Sequence, residues 1–75
     1  MAPNPVSSHD PYLRVELAAG YRTLHVLDAI GRLVLTRLVN DGPVVLDLSG
    51  LGTGSYSLRA LHKDGSAIQQ RFMIR

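Results

Sequence analysis

The chain predicts an all-β domain, a sandwich or small barrel of six short strands. Three observations carry that prediction. Apolar and polar residues alternate with period two in several short runs. Clusters of Gly, Asn, Asp, Pro and Ser separate the runs at regular spacing. No segment requires a helix. The organising unit is Val44–Leu61, where an alternating run ends at Leu48, Gly50, Gly52 and Gly54 follow, and Tyr56 opens a second run.

Residues 1–11 hold Pro3, Pro5 and Pro11. Proline fixes φ and removes a donor, so this stretch reads as an extended lead-in linker, with the domain proper over 12–75. The first strand is Tyr12–Leu17, with Leu13, Val15 and Leu17 inward and Arg14 and Glu16 outward. Ala18-Ala19-Gly20 turns the chain. The second strand, Arg22–Asp28, turns Leu24 and Val26 inward; Leu27 breaks the alternation and is expected at a sheet edge. Asp28-Ala29-Ile30-Gly31 is a turn, in which Asp28 can bond its own backbone two residues on. Arg32–Val39 is the third strand, and its Leu33-Val34-Leu35 run leaves the buried face unassigned. Asn40-Asp41-Gly42-Pro43 is the plainest turn signal. The fourth strand, Val44–Leu48, buries Val44, Leu46 and Leu48. The fifth begins at Tyr56 and points Tyr56, Leu58 and Ala60 inward. Leu58-Arg59-Ala60-Leu61 are good helix formers, but Gly54 to Asp64 is too short for a typical helix. Lys63-Asp64-Gly65-Ser66 is a hairpin turn. Ala67–Ile74 is the last strand, with Phe72 and Ile74 inward and Gln69, Arg71 and Met73 outward.

Length and composition exclude several classes. Seventy-five residues allow one small domain, and a chain of this size buries only roughly 60% of its unfolded surface. With no cysteine, neither a disulfide nor a thiolate metal site is available. The 45% hydrophobic content suits a folded globule. Net charge is +2, with seven arginines and one lysine spread along the chain rather than clustered, and aromatics are few. A nucleic-acid surface would cluster charge and interleave aromatics, so no nucleic-acid partner is expected. No apolar run is long enough for a membrane helix. The N-terminus has neither a basic region nor an apolar core, so it does not read as a signal peptide; the chain is then either not exported or the downstream part of a longer precursor.

Candidate chemistry is sparse. Gly50-Leu51-Gly52-Thr53-Gly54 is glycine-rich like a phosphate loop, but a strand follows it where a dinucleotide site needs a helix, and the acidic residue is misplaced. It reads as a sharp crossing between strands. His9, His25 and His62 are scattered without metal-ligand spacing. The aspartates fall at turns or strand ends, where they cap the backbone. No catalytic residue, cofactor or metal is expected.

The ordered motifs closely resemble one family, the type A C-terminal sorting domain of type IX secretion cargo proteins in the Bacteroidetes. Pro3-Asn4-Pro5-Val6 is like the opening of these domains. Leu27-Asp28-Ala29-Ile30-Gly31-Arg32 is similar to their hydrophobic–Asp-x-x-Gly-Arg/Lys motif. Leu48-Ser49-Gly50-Leu51-Gly52-Thr53-Gly54-Ser55-Tyr56 resembles their Leu-x-x-Gly-x-Tyr block, and Arg71-Phe72-Met73-Ile74-Arg75 their basic–apolar end. The resemblance assigns sorting-motif roles to Pro3, Asn4, Pro5, Asp28, Gly31, Arg32, Leu51, Gly54, Tyr56, Phe72, Ile74 and Arg75. Two departures are visible: Thr53 stands where proline or alanine is commoner, and Ser55 and Ser57 make the Tyr56 strand unusually polar.

The resemblance implies an immunoglobulin-like antiparallel β-sandwich of six to seven strands. It implies a non-enzymatic address behind a cargo domain of a parent precursor, passing through the periplasm to the cell surface or beyond. The implied partners are the type IX machinery, with its outer-membrane translocon and a sortase-like protease that removes the domain at or upstream of Pro3–Val6. The final strand is the expected docking edge, held in register by Gly54 and Tyr56, and exposed edges leave self-association open. The alternative is a generic immunoglobulin-like interaction or carbohydrate-binding module, for which only Tyr12 and Tyr21 are plausible aromatic platforms.

Overall fold

The computed structural model describes residues 6, 7, 9–40 and 42–75. Six strands follow in chain order: β1 (Tyr12–Val15), β2 (Tyr21–Leu27), β3 (Leu33–Leu38), β4 (Val44–Asp47), β5 (Gly54–His62) and β6 (Ala67–Ile74). They form two antiparallel sheets, β1-β4 and β3-β2-β5-β6. The described residues contain no helix, and Leu58–Leu61 is strand. Alternation outweighs local helix propensity there because each second side chain of β5 is buried between the sheets.

One apolar core joins the sheets. β1 and β4 supply Leu13, Val15 and Leu46, with Leu48 just beyond; the large sheet supplies Leu24, Val26, Leu58, Ala60, Phe72 and Ile74. Leu17, Val44 and Tyr56, expected inward, are half-buried against it. Fully burying a Val, Leu or Phe contributes roughly 1.5–3 kcal/mol, so these residues supply most of the cohesion of a chain without disulfides.

Two expectations need correction. Leu27 does not lie at a sheet edge: β2 is an inner strand, and Leu27 pairs with both Leu33 and Ser57. Its broken alternation reflects a bulge, since Val26 pairs with Leu35 while Leu27 pairs with Leu33, leaving Val34 as the extra residue. That bulge also explains the Leu33-Val34-Leu35 run, in which Leu33 and Val34 are exposed and Leu35 is half-buried. The lead-in, read as linker, reaches the core. Val6 is buried and bridges Ile74 in parallel, donating its N–H to the Met73 carbonyl at 2.8 Å and accepting from the Arg75 N–H at 2.9 Å. Val39, in the third run, is also buried, its N–H bonded to the Arg22 carbonyl.

Chain order and pairing match the immunoglobulin plan. The small sheet corresponds to strands B and E, the large one to C′, C, F and G. β5 therefore holds the F position, beside the corner where the chain crosses from the small sheet to the large one.

Candidate functional site

The crossing from β4 to β5 is built by local bonds. Leu51 donates its N–H to the Leu48 carbonyl at 2.9 Å and packs its side chain against the core. Asp47 accepts the Ser49 N–H at 2.9 Å. The Ser49 side chain and then its N–H hold the Asp47 carboxyl below its usual range. Gly54 has φ +147°, a conformation open almost only to glycine. Two residues later the Tyr56 hydroxyl donates back to the Gly52 carbonyl at 2.7 Å. A tyrosine at the start of strand F, bonded a few residues upstream, is the tyrosine corner of immunoglobulin-like sandwiches. Its ring stacks on Phe72 of β6, with centroids 5.8 Å apart and planes 23° from parallel. The Leu-x-x-Gly-x-Tyr spacing thus has a structural cause: leucine anchors the corner in the core, glycine turns it, and tyrosine closes it.

The Asp28–Arg32 motif is a second self-contained unit. Asp28 Oδ1 accepts the Ile30 N–H at 3.1 Å and the Arg32 N–H at 2.8 Å, while Oδ2 pairs with Arg32 Nε at 2.8 Å. Gly31, at φ +86°, donates to the Asp28 carbonyl. The Arg32 N–H is the largest influence lowering the Asp28 carboxyl, opposed by partial desolvation and aided by the Arg32 side chain and the Ile30 N–H. Asp, Gly and Arg at this spacing fold the β2–β3 turn.

These units meet at one end of the large sheet. Shallow depressions there are walled by Asp28, Arg32, Gly54 and Tyr56 and continue past Ser57 and Arg71. Phe72 and Ile74 face the core from β6, and exposed Arg75 is tied through its N–H to Val6. Leu51 lies against the core rather than in the depressions. Pro3, Asn4 and Pro5 lie outside the described residues. Sequence context marks neither the burial of Val6 nor the Gly52 acceptor: a lone valine after prolines carries no period, and any residue offers a carbonyl. Among the described residues no three His, Asp or Glu side chains converge as a metal site requires. No helix there is long and apolar enough to cross a membrane. Tyr21, one of two candidate sugar platforms, packs on the core and edge-on to His62 at 4.9 Å.

The family model described as the secretion system C-terminal sorting domain matches residues 1–75. The chain belongs to this family. Its members are type IX sorting domains, a signal family rather than a catalytic one, which directs export across the outer membrane to the surface or extracellular space. No curated protein matches the sorting domain. Among solved structures, it resembles one described as a biofilm-associated protein BSP domain, with 21% identity and a TM-score of 0.70 over 99% of this chain and 14% of that one. It also resembles CopC from Methylosinus trichosporium OB3b, with 22% identity and a TM-score of 0.61 over 99% of this chain and 84% of that one. A third is the structure of the CBM51-2 and INT domains of Clostridium perfringens ZmpB, with 16% identity and a TM-score of 0.68 over 100% of this chain and 18% of that one. At these identities the likenesses establish the sandwich fold alone.

Proposed function

We propose that the chain is a folded address at the C-terminal end of a larger cargo protein, read in the periplasm by the type IX machinery and then removed. The observation that carries this reading is the family match over residues 1–75, together with a structure whose motifs build shape rather than chemistry. The translocon engages the domain, and a sortase-like protease cuts at or upstream of Pro3–Val6, so that cargo is anchored at the surface or released. In this reading 1–11 is the lead-in and 12–75 the recognised domain, with Val6 clasping the two together. Pro3, Asn4 and Pro5 mark the approach to the cut. Asp28, Gly31, Arg32, Leu51, Gly54 and Tyr56 hold the frame, and Phe72, Ile74 and Arg75 set the final strand.

β6 flanks its sheet, which supports recognition by strand addition. The Val6 bridge occupies its terminal end, so an added strand must displace Val6 there or pair further upstream. The test fuses residues 1–75 behind a periplasmic reporter in a type IX-competent cell. Surface display of the reporter is expected, and none in a strain lacking the outer-membrane translocon. Display that survives deletion of Phe72–Arg75 would sink the role of the final strand.

A further inference from the structure

Charge is segregated in this molecule. The four strands of the large sheet carry Arg22, Arg37, Arg59 and Arg71 and no aspartate or glutamate. Carboxylates sit instead on turns and at the end of β4, where Asp28, Asp64 and Asp47 are engaged by Arg32, Ser66 and Ser49 respectively. On β5 and β6, Tyr56, Leu58 and Phe72 face inward, so Ser55, Ser57, Arg71 and Met73 face out. Ser57 lies directly opposite Arg71, and Ser55 opposite Met73. Three contiguous depressions, of about 300, 260 and 300 Å³, share Ser55 and form one groove from the Asp28–Arg32 turn to Met73. Asp28 forms part of its wall, but that carboxylate is already matched by Arg32. The Arg71 guanidinium is exposed and has no ion pair or hydrogen bond among the described residues. Arg59 lies on the same face opposite Gln69, outside the lining of the groove.

We propose that this groove receives an extended, carboxylate-bearing segment of a partner protein, with Arg71 pairing with the carboxylate and the Ser55 and Ser57 hydroxyls donating beside it. The planar fork of arginine matches a carboxylate in two parallel bonds, and the flanking hydroxyls supply further donors. Exposed Met73 and Ile30 line its two ends. Arginine and methionine together are typical of protein interfaces, which favours a peptide over a charged sugar. Arg71 sits on the open outer face, so its charge acts chiefly on the rate of encounter and on selectivity, and salt weakens it.

The proposal rests on the secretion reading, and one experiment separates the two. Arg71→Glu, Arg71→Lys and Arg59→Glu are placed in the reporter fusion of residues 1–75, and surface display is measured. Arg71→Glu is expected to cut display about tenfold, Arg71→Lys to retain part of it, and Arg59→Glu to change it by less than about twofold. Melting of the Arg71→Glu chain should stay within about 3 °C of the parent, as for other surface changes. A basic substitution of an acidic residue in a secretion component that restores display would support the pairing. Unimpaired display by Arg71→Glu, with the parent fusion exported, would overturn the groove alone. A defect that disappears in cells lacking anionic surface polysaccharide would replace the peptide with a glycan and overturn the proposal. Failure of the parent fusion to be displayed would overturn both readings.

Discussion

The Tyr56 hydroxyl donates to the Gly52 carbonyl at 2.7 Å across the corner between the two sheets. One bond here joins two consequences. It supplies a partner for a carbonyl on the crossing, and it fixes a ring that stacks on Phe72, the most bulky of the fully buried side chains. The register Tyr56↔Phe72 therefore depends on the corner as well as on the β5–β6 ladder.

Removing only the hydroxyl should show this. Tyr56→Phe keeps the ring and loses the bond, and should cost about 1 kcal/mol in urea unfolding with little change in the slope of the transition. Gly54→Val should cost roughly 1–3 kcal/mol, because a branched side chain cannot hold φ +147° without strain. The nearest atom to a Cβ there is Tyr56 Cε2 at 4.0 Å, so the penalty comes from the backbone and not from a collision. If export of the reporter follows this loss of stability in both variants, the motif acts through the frame.

At the opposite end, a collision is expected. Gly20 has φ +100°, and a Cβ there would overlap the imidazole of His62. That ring is held on several sides: Nε2 stands 3.3 Å from the Ala19 carbonyl, Nδ1 lies 3.2 Å from the Asp64 N–H, and Tyr21 meets it edge-on. Gly20→Ala should destabilise by roughly 1–3 kcal/mol through strain and overpacking together. The cost should shrink in a His62→Ala background, since only the backbone part remains. A double-mutant cycle on unfolding midpoints measures the difference, and strict additivity would contradict the packing argument.

Acid should weaken the fold at its turns. Asp28, Asp47 and Asp64 are each more acidic folded than unfolded, through bonds from Arg32, from Ser49 and from Ser66 respectively. A carboxyl lowered by folding stabilises above its unfolded value, near 3.8, and that contribution is lost as pH falls through the lower folded value. Urea midpoints should therefore be steady on the neutral side of 3.8 as far as these groups are concerned, and drop below it. Replacing all three by Asn should flatten that acid limb and lower the neutral plateau.

Much of this architecture is legible in the sequence because burial of one face only imposes period two on a strand. Alternation places Leu13, Val15, Leu24, Val26, Leu46, Leu58, Ala60, Phe72 and Ile74 on the apolar faces of their strands, and each is buried. Alternation failed where a residue count changed. The bulge at Val34 shifts β3 against β2, and no local signal in Leu33-Val34-Leu35 marks which residue is extra. The candidate site was legible as motifs and not as a place. Asp28, Tyr56 and Arg71 are far apart in the chain, and only the β2-β5-β6 order gathers them at one groove. Burial of Val6 has no local signature, because its bridge is to the far end of the chain.

That long-range pairing makes Val6 the place where the lead-in becomes structural. Its side chain is buried and both its backbone groups bond to β6 and the residue after it. Val6→Ala removes two buried methyl groups and should cost about 2 kcal/mol. Truncation that begins the chain at Val6 should cost far less, while truncation that begins it at Ser7 should lose the core side chain and both bridge bonds together. Hydrogen exchange at the Arg75 amide reads this directly, because its acceptor is the Val6 carbonyl. Protection of Arg75 unchanged by loss of Val6 would show that the clasp contributes nothing. Loss of protection would mean that a protease cutting upstream of Val6 leaves a closed sandwich, whereas one cutting beyond it frees the terminal edge of β6.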